Sequence, residues 1–325
     1  MKNPEFPETT PERKPSDSVR FVTVQSDEAG RRLDNFLLSR APGVPRSRIY
    51  RAIRSGEVRI NKGRTSAGYR LVAEDVVRIP PLRTPSRTRS PAGAKAQQAI
   101  LGTVIDKHKA FLVLNKPSGW AVHGGSGVSL GVIETLRQAM PADHYLELVH
   151  RLDRSTSGCL LIARKRSFLR EMHRQIRDNE VGKTYLVLVQ GHWDYGRYRC
   201  EVPLNTEERR GGERHVVAHP AGKYSRTDFE LLEHFSGVSF LRATLHTGRT
   251  HQIRVHCAHL GHAVLGDRRY HSEESQTVSQ RLKVRRLGLH ASSLAFEYPA
   301  GNPVQIDAPL SPELSALIER LSTSR

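Results

Sequence analysis

Apolar residues near the start of the chain recur at helical spacing. Leu33, Phe36 and Leu37 share one face, and after A-P-G-V-P the run R-S-R-I-Y-R-A-I-R-S-G sets Ile49 and Ile53 on one side of a second helix. Ser47 stands where a cap is expected and Gly56 where that helix should stop. E-V-R-I-N-K-G-R then reads as a short strand entering an Asn-Lys-Gly turn, and E-D-V-V-R-I-P as another strand. Further along, apolar runs predict strands at about 110–115, 146–152, 159–163, 184–189 and 238–246. Amphipathic runs predict helices at about 129–139, 167–179, 251–260 and 311–322. The strands do not alternate regularly with helices. That favours an α+β fold with a largely antiparallel mixed sheet over a doubly wound one.

Two stretches lack such periodicity. Residues 1–18, rich in Pro, Glu, Ser and Thr, read as a disordered tail, and 83–98, with prolines among basic residues, as a basic linker. The expected organisation is therefore a small module over 19–82 and a larger domain over 99–325.

Charge sharpens this picture. The 325 residues include 51 Lys and Arg against 33 Asp and Glu, a net charge of +18. Residues 1–98 hold 20 basic and 10 acidic residues, so more than half of the excess lies in less than a third of the chain. Arg46, Arg48, Arg51 and Arg54 cover the polar side of the second helix, and Lys62 sits in the following turn. A solvated face is the ordinary reading of such a run, but one this poor in acids favours contact with RNA or DNA phosphates. No run approaches the 18 apolar residues of a membrane span, and the N-terminus lacks the apolar core of a secretory signal. Cys159, Cys200 and Cys257, odd in number and far apart, argue for a reducing compartment, here the cytoplasm.

Three segments hold residues suited to chemistry. H-R-L-D-R-S-T-S-G, 150–158, puts Asp153 at a junction between apolar strands, where a lone Asp more often forms a turn than catalyses. T-G-R-T-H-Q-I-R-V-H, 247–256, opens a helix whose inner face holds Ile253, Cys257 and Leu260, with Arg254 about 100° around from Ile253. A buried arginine needs an anion; Asp153 is one candidate, and an ordinary structural pair or a phosphate is the alternative. G-K-T-Y-L-V-L-V-Q-G, 182–191, places Tyr185 on an alternating strand, as a half-buried sheet residue or a surface for a base to stack on. The histidines 251, 256, 259 and 262 with Cys257 lack zinc-site spacing, so no metal is expected. G-V-S-L-G, 127–131, fits a hydrolase elbow only formally and reads as a glycine-rich loop.

R-R-L-D-N-F-L through E-V-R-I-N and E-D-V-V-R-I resembles the S4 RNA-binding domain, a small α+β module that docks on structured RNA. The three chemical segments together closely resemble RluA-type pseudouridine synthases, and L-V-L-N-K-P-S-G, 112–119, and A-V-H-G-G-S-G, 121–127, fit the same family. The likeness spans about 20–320, with V-R-I-P-P-L-R pointing to the subgroup that modifies large-subunit ribosomal RNA. That subgroup often has Asp where this chain has Ser155. The resemblance implies an S4 module followed by a pseudouridine synthase catalytic domain. It implies isomerisation of uridine in 23S ribosomal RNA: the C1′–N1 bond breaks, the base rotates, and C5 is joined to C1′, with no cofactor. Asp153 would be the catalytic carboxylate, as nucleophile or as base at the ribose. Arg254 would pair with it and Tyr185 would pack against the uracil. Arg151 would fill the gap left by the flipped nucleotide, with Ile253 also in the substrate site. The expected partner is ribosomal RNA, bound by a monomer with no obligate protein partner. A tRNA or dual-specificity synthase is the alternative within the family, and a non-catalytic S4-type RNA-binding protein the one outside it.

Overall fold

The structure is a computed structural model that describes residues 18–41, 44–82, 92–124, 130–208 and 214–323. The stretch expected as a tail, Ser18 excepted, and residues 83–91 of the expected linker lie outside the described residues. The chain divides into two compact units, Met1–Arg89 and Ser90–Arg325.

The first unit contains β1 (Arg20–Thr23), α1 (Leu33–Arg40), α2 (Arg46–Arg54), β2 (Arg59–Ile60) and β3 (Val76–Ile79). β3 is central and antiparallel to both neighbours. Ile60, Val77 and Ile79 turn inward onto Leu33, Phe36, Leu37, Ile49 and Ile53, so the two sequence periods, 2 and 3.6, meet in one core. Ser47 does not cap α2: Pro45 holds the cap position with φ −58° and makes no side-chain cap bond. The fixed proline angle lets its carbonyl accept from Arg48 and Ile49 at once, which leaves Ser47 inside the first turn. Gly56 follows the helix end with φ +76°, as expected. Asn61 and Lys62 have φ 48° and 69° between Ile60 and Gly63, which bond each other's backbone, as in a type I′ hairpin turn.

The second unit opens with α3 (Ala94–Leu101), so the end of the expected linker is helical. Its Ala, Gln and Leu content favours helix, and its one fully buried side chain, Ile100, explains why no periodicity announces it. Next come β4 (Val104–Lys107), β5 (Phe111–Lys116), α4 (Val132–Ala139), β6 (Glu147–Leu148), β7 (Ser157–Ala163) and α5 (Arg166–Arg177). β8 (Gly182–Gln190), β9 (Arg197–Cys200), β10 (Leu204–Glu208), β11 (Arg214–Ala218), β12 (Thr227–Phe235) and β13 (Val238–Leu245) follow. The unit ends with α6 (Gln252–His259), α7 (Glu273–Arg281), β14 (Leu289–Glu297), β15 (Pro303–Asp307) and α8 (Pro312–Thr323).

A ten-stranded sheet runs β4-β5-β7-β14-β8-β13-β12-β9, with β15 on β14 and β6 on β7. Among the described pairings of this sheet only β7 with β14 is parallel, so the sheet is mixed and largely antiparallel. β10 and β11 form a separate hairpin. β5 and β7 are covered on both faces. Leu112, Leu114, Leu160 and Ile162 join one core and Phe111, Val113, Cys159 and Leu161 another, which is why these strands are apolar at nearly every position. The expected strand over 146–152 shrinks to Glu147–Leu148. Beyond it Val149 still bonds the Leu161 carbonyl, but the His150 ring, not a strand backbone, takes the Leu161 N–H.

Candidate active site

Asp153 lies in the loop between β6 and β7. His150 Nε2 accepts the Leu161 N–H at 3.1 Å, and burial holds that ring down at about 4, so it stays neutral and pins the loop's start to β7. The Asp153 carbonyl accepts the Thr156 N–H at 3.1 Å, closing a turn. Lys116, at the end of β5, is fully buried and its Nζ donates to the carbonyls of Pro117 (2.9 Å), Trp120 (3.0 Å) and Arg154 (3.3 Å). Burial, with Arg286 nearby, pulls the ammonium down to about 7. Gly158 enters β7 with φ +109°, and a Cβ there would lie 2.1 Å from the Ala291 carbonyl oxygen. Glycine at this position therefore allows β7 and β14 to touch.

Arg254 comes from α6, whose residues 252–257 are all buried. Gln252 donates to the Arg226 carbonyl and the Thr227 hydroxyl, and His256 bonds Ser225 and Thr227. These bonds lock the helix to β12 and the loop before it. Arg254 donates from Nε and Nη2 to Asp267 at 2.7 and 2.8 Å, and its guanidinium lies 4.9 Å from the Tyr270 ring centre. Its third nitrogen, Nη1, stands 3.6 Å from Asp153 Oδ2. The expected pairing with Asp153 is thus the longer contact, and Asp267 is the bidentate partner. Burial pushes the Asp267 carboxyl up, but Arg254 and the N–H groups of Arg269 and Tyr270 outweigh that and hold it below the ordinary carboxylate value.

Tyr185, in β8, is opposite Ala291 on one side and Ala243 on the other. Ala291 in turn faces Gly158. One row of small residues across four strands therefore flanks the tyrosine ring. Burial, then the Asp153 charge, push its hydroxyl well above the ordinary phenol value, so it is a neutral donor. Asp153, Tyr185, Ile253 and Arg254 line one cavity of about 270 Å³, together with Arg151 and His251. A space that size suits one ring system, not a duplex. An open groove of about 860 Å³ reaches the same aspartate and carries Arg154, Arg268, Arg269, Arg285 and Arg286. Arg151 is exposed and borders both.

Sequence reasoning missed three members of this arrangement: Asp267, Tyr270 and His251. His251 entered the sequence reading only as part of a failed metal pattern, and G-D-R-R-Y, which holds Asp267 and Tyr270, did not enter it at all. His256 and His262 are instead occupied by hydrogen bonds, and among the described residues no three His, Cys, Asp or Glu gather in a metal-holding group. Of the glycine-rich loop expected over 127–131, residues 127–129 lie outside the described residues, and Gly131 is the N-cap of α4.

In the first unit Arg46, Arg51, Arg54 and Lys62 are exposed. Arg48 is half-buried and bonded to Glu57 at 2.7 Å, which leaves it less free for phosphate than its neighbours.

Residues 110–259 match the RNA pseudouridylate synthase family and residues 31–77 the S4 domain. The chain is 45% identical over 307 residues to ribosomal large subunit pseudouridine synthase C of Pasteurella multocida, covering 94% of each chain. The chain belongs to the RNA pseudouridylate synthase family. The protein of the same name from Escherichia coli (strain K12) is 44% identical, over 95% of this chain and 98% of its own. A solved synthase-fold structure, human RNA pseudouridylate synthase domain containing 1, superposes with a TM-score of 0.57 at 27% identity, over 68% of this chain and 93% of the human one. An S4 module followed by a pseudouridine synthase domain is thus present, as the motifs led one to expect. This pseudouridine synthase carries no helix among the described residues long and apolar enough to cross a membrane.

Proposed function

We propose that this enzyme converts uridines of 23S, large-subunit, ribosomal RNA to pseudouridine, acting in the cytoplasm as a monomer. The observation that carries the reading is the meeting of Asp153, Tyr185 and Arg254 around one small cavity, in a chain this similar to the large-subunit synthases C. The target uridine leaves the RNA stack and enters the cavity, at a cost of a few kcal/mol (~) in lost stacking and pairing. Arg151, exposed at the rim, occupies the vacated position. Asp153 acts at the ribose, as nucleophile or base, while the C1′–N1 bond breaks. The uracil turns against Tyr185 and Ile253, C5 bonds to C1′, and C5 gives up its proton as N1 gains one. Every atom of the product comes from the substrate, so the chemistry calls for no cofactor. Arg254, fixed by Asp267, holds a positive charge beside Asp153 throughout. Arg46, Arg51, Arg54 and Lys62 of the S4 module grip phosphates and orient the RNA, with a smaller share from Arg48.

The test is complementation of a strain lacking the gene, with pseudouridines mapped across total RNA. The wild-type chain should restore marks in large-subunit ribosomal RNA and Asp153→Asn should restore none. Equal restoration by both removes Asp153 from the reaction. Marks restored in tRNA instead of ribosomal RNA replace the substrate, and no marks from either chain leave only RNA binding. Arg254→Ala should lower turnover more than RNA affinity; a pure loss of affinity makes it a phosphate contact.

A further inference from the structure

His251 stands next to Asp153 in a place its sequence neighbours do not explain. It precedes α6 with φ +55°, in the left-handed region that residues other than glycine seldom adopt, Asn, Asp and His more readily than the rest. Both of its ring nitrogens face partners. Nδ1 lies 2.7 Å from the Tyr270 hydroxyl, and Nε2 lies 3.6 Å from Asp153 Oδ2. The protonation of the ring follows from its partners. The Tyr270 oxygen already accepts the Val216 backbone N–H at 3.2 Å. That oxygen could accept a second bond, so the carboxylate decides the tautomer: Asp153 can only accept, which puts the imidazole proton on Nε2, facing it, and leaves Nδ1 to accept the Tyr270 hydrogen. Burial, and the charges of Arg254 and Arg269, hold the ring down at about 4 against the opposing pull of Asp153 and Asp267, so it remains a neutral donor near pH 7.

Arg254 Nη1 faces the same oxygen from the other partner, also at 3.6 Å. Both donors therefore converge on Oδ2. A carboxylate restrained through one oxygen presents the other to its substrate. The distances are longer than hydrogen bonds, as is common before a substrate draws a site together.

We propose that His251 is a positioning residue for the isomerisation: its Nε2–H, oriented by Tyr270, joins Arg254 in fixing Asp153 Oδ2 and so aims Oδ1 at the ribose of the flipped uridine. This rests on Asp153 being the catalytic carboxylate. Tyr270 links the device to the hairpin of β10 and β11. Val216 bonds its hydroxyl, and the His215 ring packs 4.9 Å from its own. The hairpin thus sets the histidine that sets the aspartate.

The experiment uses the full chain and an unmodified large-subunit ribosomal RNA transcript carrying tritium at uridine C5. It reads single-turnover release of tritium and, separately, RNA affinity. Three variants divide the question. His251→Asn suits the left-handed backbone but is too short to reach Asp153. His251→Gln extends an N–H donor to about the position of Nε2. Tyr270→Phe keeps the ring and removes the hydroxyl that orients the imidazole. His251→Asn should slow single turnover by about 10²-fold, the scale of a misplaced reacting group, with affinity unchanged. His251→Gln should recover most of that loss, and Tyr270→Phe should fall between wild type and His251→Asn. A wild-type rate in His251→Asn overturns the proposal. So does a folded His251→Gln no faster than His251→Asn, or a loss confined to affinity. If His251→Asn fails to fold, the rates of the other two variants decide: wild-type turnover in Tyr270→Phe, or none in a folded His251→Gln, rejects it. A wild-type chain that releases no tritium rejects the proposed function itself, a separate outcome.

Discussion

Each unit of the chain sets an aspartate against an arginine with a tyrosine close by, and the second unit also holds an aspartate that is underused. In the first, Asp34 accepts from Arg32 at 3.1 and 2.7 Å, from the Tyr50 hydroxyl at 2.7 Å and from the Asn35 N–H at 2.8 Å. In the second, Asp267 accepts twice from Arg254 and from two backbone N–H groups. Both carboxylates are saturated, and saturation makes them fixed points of the chain. Asp153 has the same kind of neighbours but keeps them at 3.6 Å, at the edge of a cavity. A carboxylate with unfilled acceptor sites can take a new partner, and a saturated one cannot. On the proposed function, the contrast separates the acid that reacts from acids that hold.

The largest expected effect is on turnover. Asp153→Asn should lower pseudouridine formation by more than about 10³-fold, as loss of a nucleophile or base does, with little change in melting temperature. Tritium release and calorimetry check both halves, and strong destabilisation would erase the contrast. Asp267→Ala should do the reverse in kind. It leaves Arg254 buried without its bidentate partner and should destabilise the second unit by about 3–5 kcal/mol, read from denaturant unfolding.

Asp34→Asn should cost about 2 kcal/mol, the scale of lost bonds to a charged group, and only in the transition of the first unit. Asp34 is held down at about 2, chiefly by the Arg32 hydrogen bonds, from an ordinary 3.8. A depressed folded value means that its stabilisation is complete above the ordinary value and is lost as pH falls toward the folded one. The first unit should therefore weaken below about pH 4 in wild type and change less over that range in Asp34→Asn. The smallest effect concerns the surface. Replacing Arg46, Arg51 and Arg54 by Gln should lower the salt slope of RNA binding by about 2–3. Arg48→Gln should lower it by well under 1 (about), because Glu57 already pairs that charge. Equal slopes for Arg48 and its neighbours would show that the Glu57 pair opens on RNA.

How much of this was legible follows from where each signal came from. The helices α2, α5, α6 and α8 were readable because a helical period runs through each, and the strands β5, β7, β8 and β13 because each is a short apolar run. β14, L-H-A-S-S-L-A-F-E, was not, because polar residues interrupt its apolar run and one of them is buried and bonded inside: His290 contacts Ser157 and the Ala308 carbonyl. β12, with charged side chains on one face of a paired strand, lacked a clean apolar run. Asp153, Tyr185 and Arg254 were found through motifs, and the cavity brings them together. Asp267 was invisible because one acid among arginines looks solvated until the fold buries it. His251 was visible but misfiled among possible ligands, since its hydroxyl partner lies 19 residues away.

The Gly158–Ala291–Tyr185–Ala243 row has a consequence for divergence. Strand spacing acts as a ruler between the loop aspartate and the tyrosine, and a methyl added at Gly158 would jam it. Loops around the groove can lengthen, shorten or change charge without moving either mark on that ruler. Choice of RNA target can therefore drift while the chemistry stands still.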